Sequence, residues 1–297
     1  MKSHGSGLLA ALAATAVLAT GCTVGPDPGP GIVHGDGGTD ATTSTTVLPT
    51  LSVPARDLNY SECGPELAAA YRTSAPADLR IDCASFTVAI APGDVNSSDI
   101  RVAVVRLRTA KTPADAAPLV LTTGTDVPSS RLALTFEANR LAPLLDAHPI
   151  VTVDRRGTGR SAPIDCLTTE QRETIYNDGA AGNSAVSARA TALGGETRRG
   201  ADLCNDTLAP DQLRFANADA AADLESLREY WEADRLGLVG VGSGSSVALA
   251  YLGAHPDRVA RLVLDSPVGL NEQGTAAAAT RAAGVQNSLA AFASRCA

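Results

Sequence analysis

Short apolar runs separated by helical spacing constrain the fold of this chain most. Pro118 to Thr122 (PLVLT) and Ile150 to Asp154 (IVTVD) are nearly continuous in apolar and β-branched residues. Runs of this length suit strands covered on both faces, as in a parallel sheet. Arg131 to Leu145, between them, repeats its apolar residues at helical intervals and predicts one helix. The pattern recurs downstream: a helix beginning at Asn217 as its N-cap, with Leu224, Leu227 and Trp231 on one side, then strand Leu238–Val241, helix Ser245–Ala254, strand Val259–Asp265 and an Ala-rich helix near Ala276–Ala293. Upstream, Phe86–Ala91 and Ile100–Leu107 partly alternate, as a hairpin-like pair does. Strands alternating with helices predict an α/β class with a doubly wound, mostly parallel sheet.

The amino-terminal region reads differently. Lys2 and His4 precede an apolar run, Leu8 to Ala19, shorter than the roughly 20 residues a spanning helix needs. It ends in Leu18-Ala19-Thr20-Gly21-Cys22, which resembles a bacterial lipobox, where cleavage precedes a cysteine that is then lipidated. Residues 1–21 are expected to be a lipoprotein signal peptide and Cys22 the lipidation site, with simple secretion the alternative. Residues 22–50 are rich in Gly, Pro, Thr and Asp, a composition that cannot offset chain entropy by burial, and are expected to be a tether. A body of about 240 residues, 51–297, remains for one core.

Of 297 residues 44% are hydrophobic and 19% charged, so a folded protein is expected, and the net charge of −8 excludes nucleic acid as the main partner. With Cys22 set aside, five cysteines remain, and an exported protein should pair them. Cys166 with Cys204 and Cys63 with Cys83 are the expected disulfides, which leaves Cys296 without an evident mate. No CxxC pair and only four histidines occur, so no metal is expected, nor any cofactor.

The segment Asp154-Arg155-Arg156-Gly157-Thr158-Gly159-Arg160-Ser161, followed by Pro163 and Cys166, resembles the D-x-R-G-x-G-x-S turn of α/β-hydrolases related to proline iminopeptidase. The trailing cysteine is similar to the secreted actinobacterial tripeptidyl aminopeptidase branch. Leu238-Val239-Gly240-Val241-Gly242-Ser243-Gly244, then Ala250-Tyr251, His255-Pro256-Asp257-Arg258-Val259 and Leu262-Val263-Leu264-Asp265, follow that family's strand, elbow, helix and strand. The resemblance implies an α/β-hydrolase fold and descent from serine peptidases.

The chemistry departs from that pattern. A nucleophile elbow reads G-x-S-x-G. Here the frame is Gly240-Val241-Gly242-Ser243-Gly244, so Gly242 holds the nucleophile position, and glycine accepts the positive φ of the turn without strain. Ser243 and Ser245 are weak substitutes, being one and three residues beyond it. The family's glycine-rich oxyanion loop is replaced by Thr122-Thr123-Gly124-Thr125-Asp126, which keeps Gly124 and sets Asp126 beside Thr125. His4 and His34 fall in the signal and tether; His148 and His255 precede strands, whereas sites in open α/β sheets lie beyond the carboxyl ends. Asp265 ends a strand and is a weak candidate acid, and Asp154, Arg155 and Arg160 read as turn-ordering residues.

These departures predict a catalytically impaired protein that at most binds a peptide, a small ester or amide, or a partner. The sheet is expected to be incomplete, its last strands lying beyond the sequence. The alternative is an active hydrolase with an atypical nucleophile or a separately encoded second half. A minor alternative comes from Gly240-x-Gly242-x-x-Ser245 with Asp265 ending the next strand, which approximates a dinucleotide-binding fingerprint.

Overall fold

The computed structural model describes residues 48–125, 127–180, 185–268 and 274–296. The segments expected to be a signal peptide and a tether, with Cys22, lie outside the described residues up to residue 47, as does Asp126. Residues 46–272 form one compact unit. In chain order it contains β1 (Ser61–Glu62), α1 (Gly64–Ala70), β2 (Arg80–Ala89), β3 (Asp99–Arg108), β4 (Leu119–Thr122), α2 (Ser129–Ala133), α3 (Ala138–Leu145) and β5 (Ile150–Val153). Then come α4 (Thr169–Ile175), a π turn (Tyr176–Ala180), α5 (Val186–Leu208), α6 (Asn217–Tyr230), β6 (Leu236–Val241), α7 (Gly244–Ala254) and β7 (Val259–Asp265). A second unit contains α8 (Gly274–Cys296), whose side chains are exposed wherever they are described.

The strands form one seven-stranded sheet in the order β1-β2-β3-β5-β4-β6-β7. β5, β4, β6 and β7 run parallel, and β1 to β3 add an antiparallel wing. β4 and β5, the runs PLVLT and IVTVD, are buried at every position, because helices cover both faces. On one face Val102, Val104, Val120, Val151 and Leu238 pack against Leu224 and Leu227 of α6, Trp231 just after it, and Val247 and Tyr251 of α7. On the other, Val105, Leu107, Leu121 and Ile150 pack against Leu67 of α1, Ala133 of α2 and Leu145 of α3. The sheet is doubly wound, as the alternation of elements predicts.

Two expectations require correction. Arg131–Leu145 is two helices, because the chain turns at Leu134 and Thr135, where the Thr135 hydroxyl donates to Leu132 O (2.8 Å). Asn217 is the first residue of α6 and not its cap; Ala216 takes that place, and its N–H donates to the Asp219 carboxylate (3.1 Å). β2 and β3 extend beyond the apolar runs that signal them, because backbone pairing continues through Arg80, Asp82 and Arg108, although β2 stops at Ala89; β6 starts at Leu236, which pairs with Val259 of β7.

A strap formed by residues 49–58 crosses the amino ends of β6 and β7. Ser52 Oγ accepts from Arg235 N (2.9 Å), Ala55 N donates to Trp231 O (2.9 Å), and Arg261 donates to Pro49 O (2.5 Å). Disulfides join Cys63 to Cys83, tying the start of α1 to β2, and Cys166 to Cys204, tying the loop before α4 to α5. Cys296 ends α8 and is exposed.

Candidate functional site at the carboxyl end of the sheet

β4, β5, β6 and β7 all deliver their carboxyl ends to one edge of the body, and every turn that the sequence singles out lies there. β6 ends at Val241, the chain reverses at Gly242, and α7 begins at Gly244. Gly242 has φ of +56°, the left-handed conformation that an elbow apex demands. Its N–H donates to Asp265 O (2.9 Å), and its carbonyl accepts from Ser245 N (3.1 Å). The outer glycines of the frame are fixed by close approach. A Cβ on Gly240 would stand 2.8 Å from Ser245 Cα, and one on Gly244 would overlap the Thr122 carbonyl. The strand–turn–helix geometry is therefore intact, with hydrogen where a nucleophilic side chain would project.

Both neighbouring hydroxyls are engaged locally. Ser243 lies in the αR region, as the first residue beyond the apex. Its Oγ accepts from Thr125 N (3.0 Å) and donates to Thr123 O (3.1 Å). Ser245 is fully buried; its Oγ donates to Gly242 O (2.6 Å) and accepts from Val268 N (3.2 Å), which braces the elbow from beneath. Asp265 pairs with Val241 and is exposed, and one of its carboxylate oxygens accepts from Ser266 Oγ (2.9 Å).

The loop after β4 presses against the elbow. Gly124 has φ of +64°, and a Cβ on it would stand 2.6 Å from Ser243 C. Its N–H points at Thr122 Oγ1 (3.4 Å). Thr123 is held by Ser129, whose Oγ accepts from Thr123 N (3.1 Å) and lies 3.0 Å from Thr123 Oγ1. The structure thus brings Gly124, Thr125, Gly242 and Ser243 together, with Asp265 on the adjacent strand.

Among the described residues it brings no histidine to them. His148 precedes β5, with Nδ1 2.8 Å from Ala117 O, and His255 precedes β7, against Tyr251 and 4.0 Å from Glu225. Both sit at the amino ends of strands, about 13 Å or more from the elbow edge for strands of four residues or longer. Among the described residues no cluster of His, Cys, Asp and Glu could hold a metal ion.

The turn after β5 is ordered by buried polar groups that motif reading identifies only in part. Asp154 is buried and accepts from Ser130 N (2.8 Å), Ser130 Oγ (2.7 Å) and Arg160 N (2.9 Å); Tyr71 OH lies 2.7 Å from Ser130 Oγ. Loss of solvation holds the Asp154 carboxyl above its ordinary value, against these donors. Arg155 donates to Phe215 O. The adjacent Arg156 is wholly buried and forms a bidentate pair with Asp223 (2.8 and 2.5 Å), while its remaining nitrogen donates to Ile90 O (2.7 Å) and Arg214 O (3.0 Å). Sequence reading missed Ser130, Tyr71 and Asp223. Only the serine pair opening α2 carried a signal; Tyr71 and Asp223 are brought in from distant elements.

Residues 131–297 match the family described as the alpha/beta hydrolase fold. That match covers more than half of the chain, and the protein belongs to this family. Solved structures similar to it include a probable hydrolytic enzyme from Pseudomonas aeruginosa (16% identity, 64% of this chain and 42% of that one, TM-score 0.37). Others are an α/β-hydrolase fold protein from Burkholderia ambifaria (18%, 59% and 43%, TM-score 0.35) and a thermophilic esterase from Thermogutta terrifontis (18%, 60% and 44%, TM-score 0.34). The chain spans just over two fifths of the length of each. A search of curated proteins finds no match.

Proposed function

We propose that this protein is an exported lipoprotein, anchored through Cys22 and related to the tripeptidyl aminopeptidases. On this reading it binds a peptide, or a small ester or amide, at the carboxyl end of its sheet without hydrolysing it. The observation that carries the reading is Gly242 at the elbow apex, with φ of +56° and no side chain. Covalent acyl transfer needs a nucleophile at that point and a base within hydrogen-bond reach. The described histidines lie at the opposite ends of their strands. The preserved elbow and turn support a site kept for recognition.

The test is calorimetric titration with a tripeptide, paired with incubation with the corresponding tripeptidyl p-nitroanilide. Saturable binding without nitroaniline release is expected. Nitroaniline release that Ser243→Ala abolishes would replace this reading with hydrolysis through Ser243, which its position beside the apex favours. A thermal shift with NAD or FAD would instead favour dinucleotide binding. The anchor is tested by metabolic palmitate labelling, which Cys22→Ala should eliminate.

A further inference from the structure

The Ser243 hydroxyl spans a turn of the facing loop: it accepts from Thr125 N (3.0 Å) and donates to Thr123 O (3.1 Å), and Thr125 Oγ1 approaches it at 3.4 Å. These partners lie 118 and 120 residues away in sequence, so the contact joins the β4 loop to the elbow and not two points of one turn. In elbow hydrolases the oxyanion is held by the N–H of the residue after the nucleophile and by an N–H from the loop that Gly124 and Thr125 occupy here. The Thr125 N–H therefore already has an oxygen acceptor, supplied by the chain itself.

Close backbone packing holds the two segments of this exposed contact together. A Cβ on Gly124 would stand 2.6 Å from Ser243 C and 2.7 Å from both Ser243 Oγ and Gly244 N. A Cβ on Gly244 would overlap the Thr122 carbonyl. Backbone thus meets backbone on both sides of the serine, and the hydroxyl reaches the loop donor without rearrangement. Further back the loop is held to α2, where Ser129 Oγ accepts from Thr123 N (3.1 Å).

We infer that Ser243 is a latch: its hydroxyl occupies the Thr125 N–H and holds the β4 loop closed over the elbow, so that a ligand oxygen reaches that donor only when the latch opens. The inference rests on reading this edge as a binding site, and it assigns Ser243 a positioning role in place of a nucleophilic one. It also bears on restoring activity. A serine introduced at residue 242 would meet a loop donor already taken, so the missing hydroxyl is only one of the obstacles to acyl transfer.

The test uses amide hydrogen exchange and titration with methylphosphonate, whose oxygens mimic an oxyanion, on the wild-type chain, Ser243→Ala and Ser243→Thr. In Ser243→Ala the Thr125 amide should exchange about fivefold faster or more, as expected for the loss of one hydrogen bond, while amides of β4 and β6 stay unchanged. Its resonance should move with methylphosphonate in Ser243→Ala and stay fixed in the wild type. Ser243→Thr, which keeps the hydroxyl, should behave as the wild type. An equal response of the Thr125 amide in the wild type and Ser243→Ala would overturn the latch. Nitroaniline release by the wild type would instead overturn the non-hydrolytic reading, and the two failures are read in different assays.

Discussion

Removing the carboxylate from the Arg156–Asp223 pair should be among the most damaging single changes outside the apolar core. The guanidinium is 0% exposed and the carboxylate side chain 4%, so water cannot replace either partner. In Asp223→Ala, Arg156 keeps its bonds to Ile90 O and Arg214 O but loses both charged ones, and Arg155 stands beside it in sequence as a like charge. An uncompensated buried charge costs about 3–5 kcal/mol. In a unit of this size that corresponds to a fall in Tm of about 6–20 °C, at about 2–4 °C per kcal/mol. The assay is urea unfolding followed by the fluorescence of Trp231, which is buried against α6. Arg156→Met with Asp223→Leu, which removes both charges, should cost less than the sum of its single changes by about 2 kcal/mol or more. Additive single changes, or a cost below about 1 kcal/mol for Asp223→Ala, would refute the argument that this buried pair clamps the hairpin, the β5 turn and α6 together.

Two glycines of α7 should respond with opposite sign. Gly244→Ala puts a Cβ into the Thr122 carbonyl and should cost about 3 kcal/mol or more, whereas nothing lies within 4 Å of a Cβ on Gly253, and Gly253→Ala should stabilise by about 0.4–1 kcal/mol in the same unfolding assay. The carboxyl of Asp154 is held above its ordinary value of 3.8 by burial. Its favourable contribution is complete below that value and is lost as pH rises through the folded one. The stability of the wild type relative to Asp154→Asn should therefore fall from about pH 4 upward and then level off, as denaturation at a series of pH values would show. Opening the disulfides should be costly as well. With separations of 20 and 38 residues, loop closure gives about 3.3 kcal/mol for Cys63–Cys83 and about 3.9 kcal/mol for Cys166–Cys204, measurable as loss of stability in the paired Cys→Ser variants.

The parallel half of the sheet was legible because burial on both faces leaves continuous apolar runs, and PLVLT and IVTVD are such runs. The bounds of α5, within a stretch whose composition leans to helix, were not, since Gly200 is its sole buried residue among those described, and a helix with almost no core face shows little periodicity. The break between α2 and α3 was hidden because Leu134, Leu141 and Leu145 keep helical spacing across it and all pack on one cluster. At the site, the glycine at the apex could be read directly from the G-x-S-x-G frame. The contact of Ser243 with Thr125 could not, because it depends on how closely two loops approach across the sheet edge, and only the glycines that permit that approach leave a trace in sequence.

The central claim is that the preserved elbow carries no nucleophile. Intact-mass spectrometry of the purified chain after incubation with a fluorophosphonate tests it most directly, because a serine activated for acyl transfer gains the phosphonyl group at a defined mass and peptide. The account predicts an unmodified mass under conditions that fully label an active serine hydrolase. A stoichiometric adduct mapped to Ser243 or Ser245 would contradict it.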